Sequence, residues 1–150
     1  MLRIGGAVRG FLVSADEVPA HLPAAVATAC RSLALGLWFL PLSSEWARVL
    51  DLADGRAPGQ PMEGFELLTA GVITYAEQLS HSHPVAYVER THGLQLIDCA
   101  VAWDRGRVSG GPSGSAVTAE FERSAINEVL DALGIDPSVQ PAVLTALADQ

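Results

Sequence analysis

The sequence contains no lysine. Its nine basic residues are all arginine, and 17 acidic residues bring the formal net charge to −8. Contacts with nucleic-acid phosphates need clustered cations, whereas these arginines are scattered along the chain. The composition therefore argues against a nucleic-acid partner and suits a basic protein partner instead.

Cysteine is scarce as well, and so are long apolar runs. Cys30 and Cys99 lie far apart in apolar settings, which favours buried free thiols in a reducing compartment over a disulfide. The longest apolar run, residues 33–42, is too short to cross a bilayer. Glycines and Arg9 interrupt any signal-peptide core near the amino terminus. We therefore expect a cytoplasmic protein that does not enter a membrane.

Motifs for nucleotide binding and for nucleophilic catalysis are also missing. The glycine-rich stretch 109–115 lacks the lysine of a phosphate-binding loop, and residues 5–10 lack the glycine spacing of a dinucleotide fingerprint. No serine stands in the Gly-x-Ser-x-Gly pattern of a hydrolase nucleophile. We expect no cofactor, and we interpret residues 109–115 as a flexible connector.

Apolar residues, in contrast, are abundant. They make up 49% of the 150 residues, and the mean hydropathy is +0.29. A chain of this length is expected to form one domain that buries about two-thirds of its unfolded surface. Either the core is large or apolar surface meets a partner, and self-association is the simplest form of such contact. A composition rich in alanine and leucine accounts for these values equally well.

The most regular pattern lies between residues 61 and 80 and predicts one long amphipathic helix. Its apolar face consists of Phe65, Leu68, Val72, Tyr75, Ala76 and Leu79. Pro61 suits the first turn of a helix, and Pro84 ends the helical pattern.

A β-hairpin is predicted directly after this helix. Residues 85–90 form a strand, His92-Gly93 the turn, and residues 94–103 the return strand. Ile97, Cys99, Val101 and Trp103 make one face of the return strand apolar, and we expect the face with Asp98 to be partly covered too. A turn at 104–106 leaves room for a short third strand.

The remaining patterns complete an α+β domain. They predict a strand within 4–14, a helix within 16–31, a buried strand over 33–40, a paired strand over 46–52 (with a helix as the alternative), a helix from Thr118 to a capping Gly134, and a closing helix over 139–147. The predicted fold is a mostly antiparallel sheet of five or six strands packed against helices, in the order β-α-β-β-α-β-β-(β)-α-α.

Asp98 is the main candidate for chemistry, because it is a carboxylate between apolar neighbours on a strand. Burial would suit it to act as a general base, whereas a salt bridge with an arginine or exposure at the sheet edge would be structural. If the domain holds a pocket between sheet and helices, His92 joins Asp98 as a catalytic candidate. Tyr87 and Trp103 are then the ligand-binding candidates.

The histidines raise the question of a metal. His81 and His83 form a His-x-His pair, which His92 or Asp98 would complete as a zinc site. His92 lies a full strand length away, so we expect solvated loop histidines and no metal. Cys99 is expected to be buried and inert. Glu89 and Arg90 are interpreted as residues that end the strand.

Several short pieces between about residues 64 and 134 carry a resemblance. They are Gly64-Phe65-Glu66 with Leu68, the run from Pro84 to Glu89, Ala100-Val101 with Trp103 and Gly106, Gly111-Pro112, and Ile126-Asn127 with Leu130, Leu133 and Gly134. In these pieces the chain resembles a set of small uncharacterised bacterial proteins. It departs from them at 91–94 and 98–100, where similar proteins carry a Gly-rich hairpin tip and a Gln-Ala-Ala strand. The resemblance implies a shared layout and no activity.

Our leading functional hypothesis is a non-catalytic, cytoplasmic protein-binding module. One concrete form is an immunity- or antitoxin-like inhibitor that masks a basic partner. The hypothesis rests on acidity, small size, abundant apolar residues and missing catalytic motifs. The alternative is a small enzyme or small-molecule-binding domain built around Asp98.

Overall fold

A six-stranded antiparallel sheet with helices on both faces lies at the centre of the structure. The computed structural model describes residues 7–34, 36–55, 60–92, 95–117 and 123–150. The strands are β1 (Ala7–Ser14), β2 (Arg31–Ala34), β3 (Leu37–Pro41), β4 (Val85–His92), β5 (Leu96–Asp104) and β6 (Arg107–Val117). The helices are α1 (Ala24–Ala29), α2 (Ser44–Ala53), α3 (Ala70–Leu79), α4 (Ala125–Ala132) and α5 (Gln140–Ala148). The fold is α+β, as predicted.

The strands lie in the order β2-β3-β1-β4-β5-β6, and each neighbouring pair is antiparallel. Successive side chains point to opposite faces, so the sheet separates two apolar cores. On the first face, Phe11, Tyr87 and Trp103 are buried with side chains of α1, α2 and α3. On the second face, Leu12, Val88 and Ala100 are buried with side chains of α4 and α5.

Aromatic rings hold the helices of the first face to the sheet. Phe11 of β1 makes edge-to-face contacts with Trp46 of α2, Tyr75 of α3 and Tyr87 of β4, at ring-centroid distances of 5.5, 5.3 and 5.5 Å. Such pairs add stabilisation beyond the burial of their area. They fix where α2 and α3 lie on the sheet.

The prediction of a strand over residues 46–52 is wrong, because these residues lie in α2. The Ser43 hydroxyl caps this helix by accepting a hydrogen bond from the Trp46 N–H at 3.1 Å. Trp46 faces the core, whereas Val49 and Leu52 are 56% and 63% exposed. The apolar residues on the outer side of the helix produced the strand-like pattern.

Two further predictions in the amino-terminal half need correction. The single buried strand predicted over 33–40 is a hairpin, in which β2 and β3 pair around a turn that contains Gly36 at a φ of +78°. The helix predicted within 16–31 is shorter, since α1 begins only after Pro23. Pro19 lies in the irregular segment before it.

The long helix predicted over 61–80 is also shorter than expected. Helix α3 begins at Ala70, and residues 60–69, which we call the strap, form neither helix nor strand. Gly64 in the strap has a φ of +89°, outside the helical region. Phe65 and Leu68 are nevertheless buried on the first face, so the helical spacing of apolar residues reflected burial of an irregular segment.

One prediction in the carboxy-terminal part of the chain is also wrong. Residues 109–115, predicted as a flexible connector, belong to the long strand β6. The described start of α4 is capped by Ser124, whereas Thr118 lies outside the described residues, as does Gly93 of the predicted hairpin turn. Gly134 follows α4 at a φ of +78°, as expected of a capping glycine, and α5 has Pro141 in its first turn.

Neither edge of the sheet is a regular, open ladder. Edge strand β2 has only four residues. Edge strand β6 carries Pro112, which has no N–H to donate, and shifts its register against β5 at two places. Both features are devices by which proteins avoid edge-to-edge pairing. Among the described residues no helix is long and apolar enough to cross a bilayer.

The cap of α2 supplies a test of the corrected secondary structure. Ser43→Ala removes the hydroxyl that caps the helix and should lower the free energy of unfolding by about 1 kcal/mol in urea denaturation. Ser44→Ala, at the exposed neighbouring position, should change it by less than about 0.5 kcal/mol. Equal effects of both substitutions would contradict the helical assignment.

Candidate functional site

The structure does not bring the predicted site residues into one pocket. Tyr87 and Trp103 lie in the core of the first face, where they are 0% and 2% exposed. Asp98 and His92 are on strand positions that point to the second face, because side chains alternate along β4 and β5. The sheet therefore separates the two catalytic candidates from the two ligand-binding candidates.

Asp98 forms the salt bridge that was the structural alternative to catalysis. It is 0% exposed, and its two carboxylate oxygens accept hydrogen bonds from Nε and Nη2 of Arg90 at 2.7 and 2.8 Å. Arg90 is the register partner of Asp98 on β4 and is itself 7% exposed. This two-pronged pairing occupies both oxygens of the carboxylate. Asp98 therefore has a structural role on the second face of the sheet, where it pairs with Arg90.

Glu89 is the polar residue that sequence reasoning missed. It lies on the first face, is 3% exposed, and accepts three hydrogen bonds. The N–H groups of Glu66 and Leu67 in the strap donate to its two oxygens at 2.7 and 2.9 Å. The Tyr87 hydroxyl, two residues earlier on the same face, donates at 2.6 Å.

A signal for Glu89 was present in the sequence. Val85 and Tyr87 precede it at two-residue steps, so a strand over these residues puts Glu89 on the same apolar face. A carboxylate in such a place must be satisfied by donors from another segment. The segment that supplies these donors could not be predicted, because the apolar pattern of the strap indicated a helix, whose N–H groups are used within the helix.

Further groups surround this carboxylate. The Cys99 thiol, on the register partner of Glu89, donates to the carbonyl oxygen of Gly64 at 3.1 Å. Arg9 of β1 forms an ion pair with Glu66 of the strap. The site therefore joins three adjacent strands to the strap, with Glu89 at its centre.

The environment keeps the phenol and the thiol in their neutral forms. Burial, followed by the charge of Glu89 and the hydrogen bond to it, raises the pKa of Tyr87 far above its ordinary value of 10.0. Burial, followed by the charges of Glu89 and Asp98, raises the pKa of the Cys99 thiol. A nucleophilic cysteine needs the opposite shift, so Cys99 is inert in the closed structure.

The histidines are not gathered into a metal site. His81 and His83 follow α3, next to the amino-terminal end of β4, whereas His92 ends the same strand. The imidazole of His81 lies against Gly106 in the β5–β6 turn. Within the described part of the chain, no three histidine, cysteine, aspartate or glutamate residues are arranged to hold a metal ion.

An open groove lies beside the residues that lead into β4. It encloses about 860 Å³ and is lined by residues 14–20, Gly36, residues 82–84 and residues 133–135. Ala15, Pro19 and Leu133 contribute buried apolar surface to its lining. The charged side chains that line it are the exposed carboxylates of Asp16 and Glu17, and no arginine is among the lining residues.

Comparisons of the chain with protein-family models, with curated protein sequences and with solved structures gave no match. The resemblance of residues 64–134 to small bacterial proteins therefore stays a prediction.

The salt bridge on the second face can be tested by removing its charge. Asp98→Asn leaves the buried Arg90 guanidinium without a counter-charge and should lower the free energy of unfolding by about 3 to 5 kcal/mol. Asp104→Asn, at the exposed end of the same strand, should change it by less than about 0.5 kcal/mol. A comparable stability of the two variants in urea would contradict a structural role for Asp98.

The tyrosine of the first face can be followed by alkaline titration. Because its folded pKa is raised, the stability that Tyr87 contributes is complete below its ordinary pKa of 10.0 and is lost as the pH rises above it. We expect Tyr87 to ionise only together with unfolding. Tyrosinate absorbance of the wild type minus that of Tyr87→Phe isolates this residue, with circular dichroism as the measure of unfolding. Ionisation of Tyr87 in the folded protein near pH 10 would contradict the closed structure.

Proposed function

We propose that this protein is a non-catalytic binding module of the cytoplasm whose acidic surface holds a basic protein partner. The proposal is supported by the hydrogen bonding of the buried carboxylates. Asp51, Glu89 and Asp98 are the buried carboxylates among the described residues, and each is bonded to donors inside the fold. None of them is open to a substrate.

Three of the nine arginines are paired with carboxylates of the same chain. Arg90 is buried against Asp98, and Arg9 and Arg123 form ion pairs with Glu66 and Asp131. With a net charge of −8, the surface potential that a partner meets is negative. Complementary charge accelerates association and makes it dependent on salt.

We assign the contact with the partner to the groove. Its mixed polar and apolar lining suits a polypeptide segment, and Asp16 and Glu17 provide acceptors for arginine or lysine side chains. The free, buried thiols of Cys30 and Cys99 fit a reducing compartment such as the cytoplasm. The alternative of a small enzyme receives no support from Asp98, whose oxygens Arg90 already occupies.

Native mass spectrometry of the protein isolated gently from its own source tests whether a partner exists. We expect a complex with a second protein whose isoelectric point is basic, and dissociation of that complex as salt is raised. A bound small molecule, or a partner that is acidic, would contradict the proposal. So would a protein that occurs only as a monomer or homodimer.

The partner found in this way then allows a matched comparison of surface charges. Asp16→Asn with Glu17→Gln removes two charges at the groove, and Asp149→Asn with Glu63→Gln removes two exposed charges elsewhere. By titration calorimetry the groove variant should bind about tenfold more weakly, whereas the control pair should change Kd less than about threefold. Equal weakening by both pairs would place the contact outside the groove.

A further inference from the structure

The strap between α2 and α3 is closed mainly on itself. The Met62 N–H donates to the Leu68 carbonyl at 2.8 Å, and the Phe65 N–H donates to the Met62 carbonyl at 2.9 Å. Among the described residues, no backbone-to-backbone hydrogen bond joins residues 60–69 to a strand of the sheet. Lifting the strap therefore breaks none of the described ladder bonds of the sheet.

What holds the strap down is a small set of side-chain contacts. Glu89 accepts the N–H groups of Glu66 and Leu67, and Cys99 donates to the Gly64 carbonyl. Arg9 also pairs with Glu66, and at the end of the strap the Thr69 hydroxyl donates to Asp51 of α2. Phe65 and Leu68 are buried, Met62 and Leu67 pack partly buried against the same core, and the Phe65 ring lies 5.9 Å from that of Tyr87. Because these are side-chain contacts and the described strap makes no ladder hydrogen bond to the sheet, it should open at a lower free energy than the strands beneath it.

We propose that residues 60–69 open as a local unit, with the Glu89 carboxylate as the latch. Opening uncovers the Glu89 carboxylate, the Tyr87 hydroxyl and the Cys99 thiol, which lie on one face of β4 and β5. The proposal is independent of the groove, whose lining includes residues 82–84 before β4 but neither Glu89 nor any residue of the strap.

Glu89→Gln is the variant that weakens the latch and preserves the shape. Each oxygen of Glu89 accepts one strap N–H, so a glutamine turns its NH₂ group toward one of these donors in either orientation. Cys99 then reports the opening, because its thiol lies under Gly64 and is 7% exposed. Cys30, also buried but located after α1 in another part of the first face, is the matched reporter of general loosening.

Thiol labelling with a disulfide reagent distinguishes the two positions. In a Cys30→Ser background, Glu89→Gln should accelerate labelling of Cys99 about ten- to a hundredfold, as loss of charge-assisted hydrogen bonds predicts. In a Cys99→Ser background, the same substitution should change labelling of Cys30 less than about threefold. Equal acceleration of both thiols, or no acceleration of Cys99, would overturn the proposal.

Hydrogen exchange of the unmodified protein gives a second measurement that needs no variant. The amide protons of Glu66 and Leu67 should exchange faster than those of Val88 and Ala100 in the sheet, with little dependence on low concentrations of urea. If all four amides share one opening free energy and one urea dependence, the strap opens only when the whole protein unfolds, and the latch does not exist.

Discussion

The first face of the sheet depends on the carboxylate of Glu89, whose hydrogen-bond donors are all uncharged. Glu89 is buried, and its donors are two backbone N–H groups and one phenol. Moving a carboxylate out of water is costly, and hydrogen bonds to the ionised form offset that cost only when the donors are held in place. In the closed structure the strap supplies two backbone donors, and the carboxylate in turn holds an irregular segment that makes no described backbone hydrogen bond to a strand.

A second carboxylate fixes the other end of the same segment. Asp51 of α2 accepts hydrogen bonds from the Thr69 hydroxyl and the Gly71 N–H, at 2.7 and 2.8 Å, where α3 begins. Gly71 must be glycine here, since a Cβ would lie 2.5 Å from the backbone of Asp51. The path from strap to α3 is therefore bonded at both ends by acidic side chains. Arg90, next to Glu89 on β4, serves the opposite face because side chains alternate along a strand.

The sequence predicted the structure correctly where local side-chain alternation and turn signals determine it. The predictions failed where contacts between residues far apart in the sequence determine it. The β4–β5 pairing followed from two strand-like runs separated by a turn signal, and the covered second face of β5 followed from the alternation of its side chains. For residues 46–52 the strand was favoured over the helical alternative because Val49 and Leu52 are apolar on a side that proves exposed, and the Ser43 cap was not used. The strap was predicted as a helix because its buried apolar residues happen to recur at three- and four-residue steps. The Arg90–Asp98 bond was open as an alternative, since a sequence does not reveal which arginine lies opposite a given aspartate.

The two edge strands of the sheet affect how the protein behaves in a concentrated solution. A strand added from another molecule needs a row of evenly spaced donors and acceptors, and neither the four residues of β2 nor the proline-interrupted, register-shifted β6 provides one. Fibril growth by strand stacking is therefore disfavoured in the native state, even though half the chain is apolar. At the described edges, contacts with other molecules are therefore expected to use side chains rather than the backbone of the sheet.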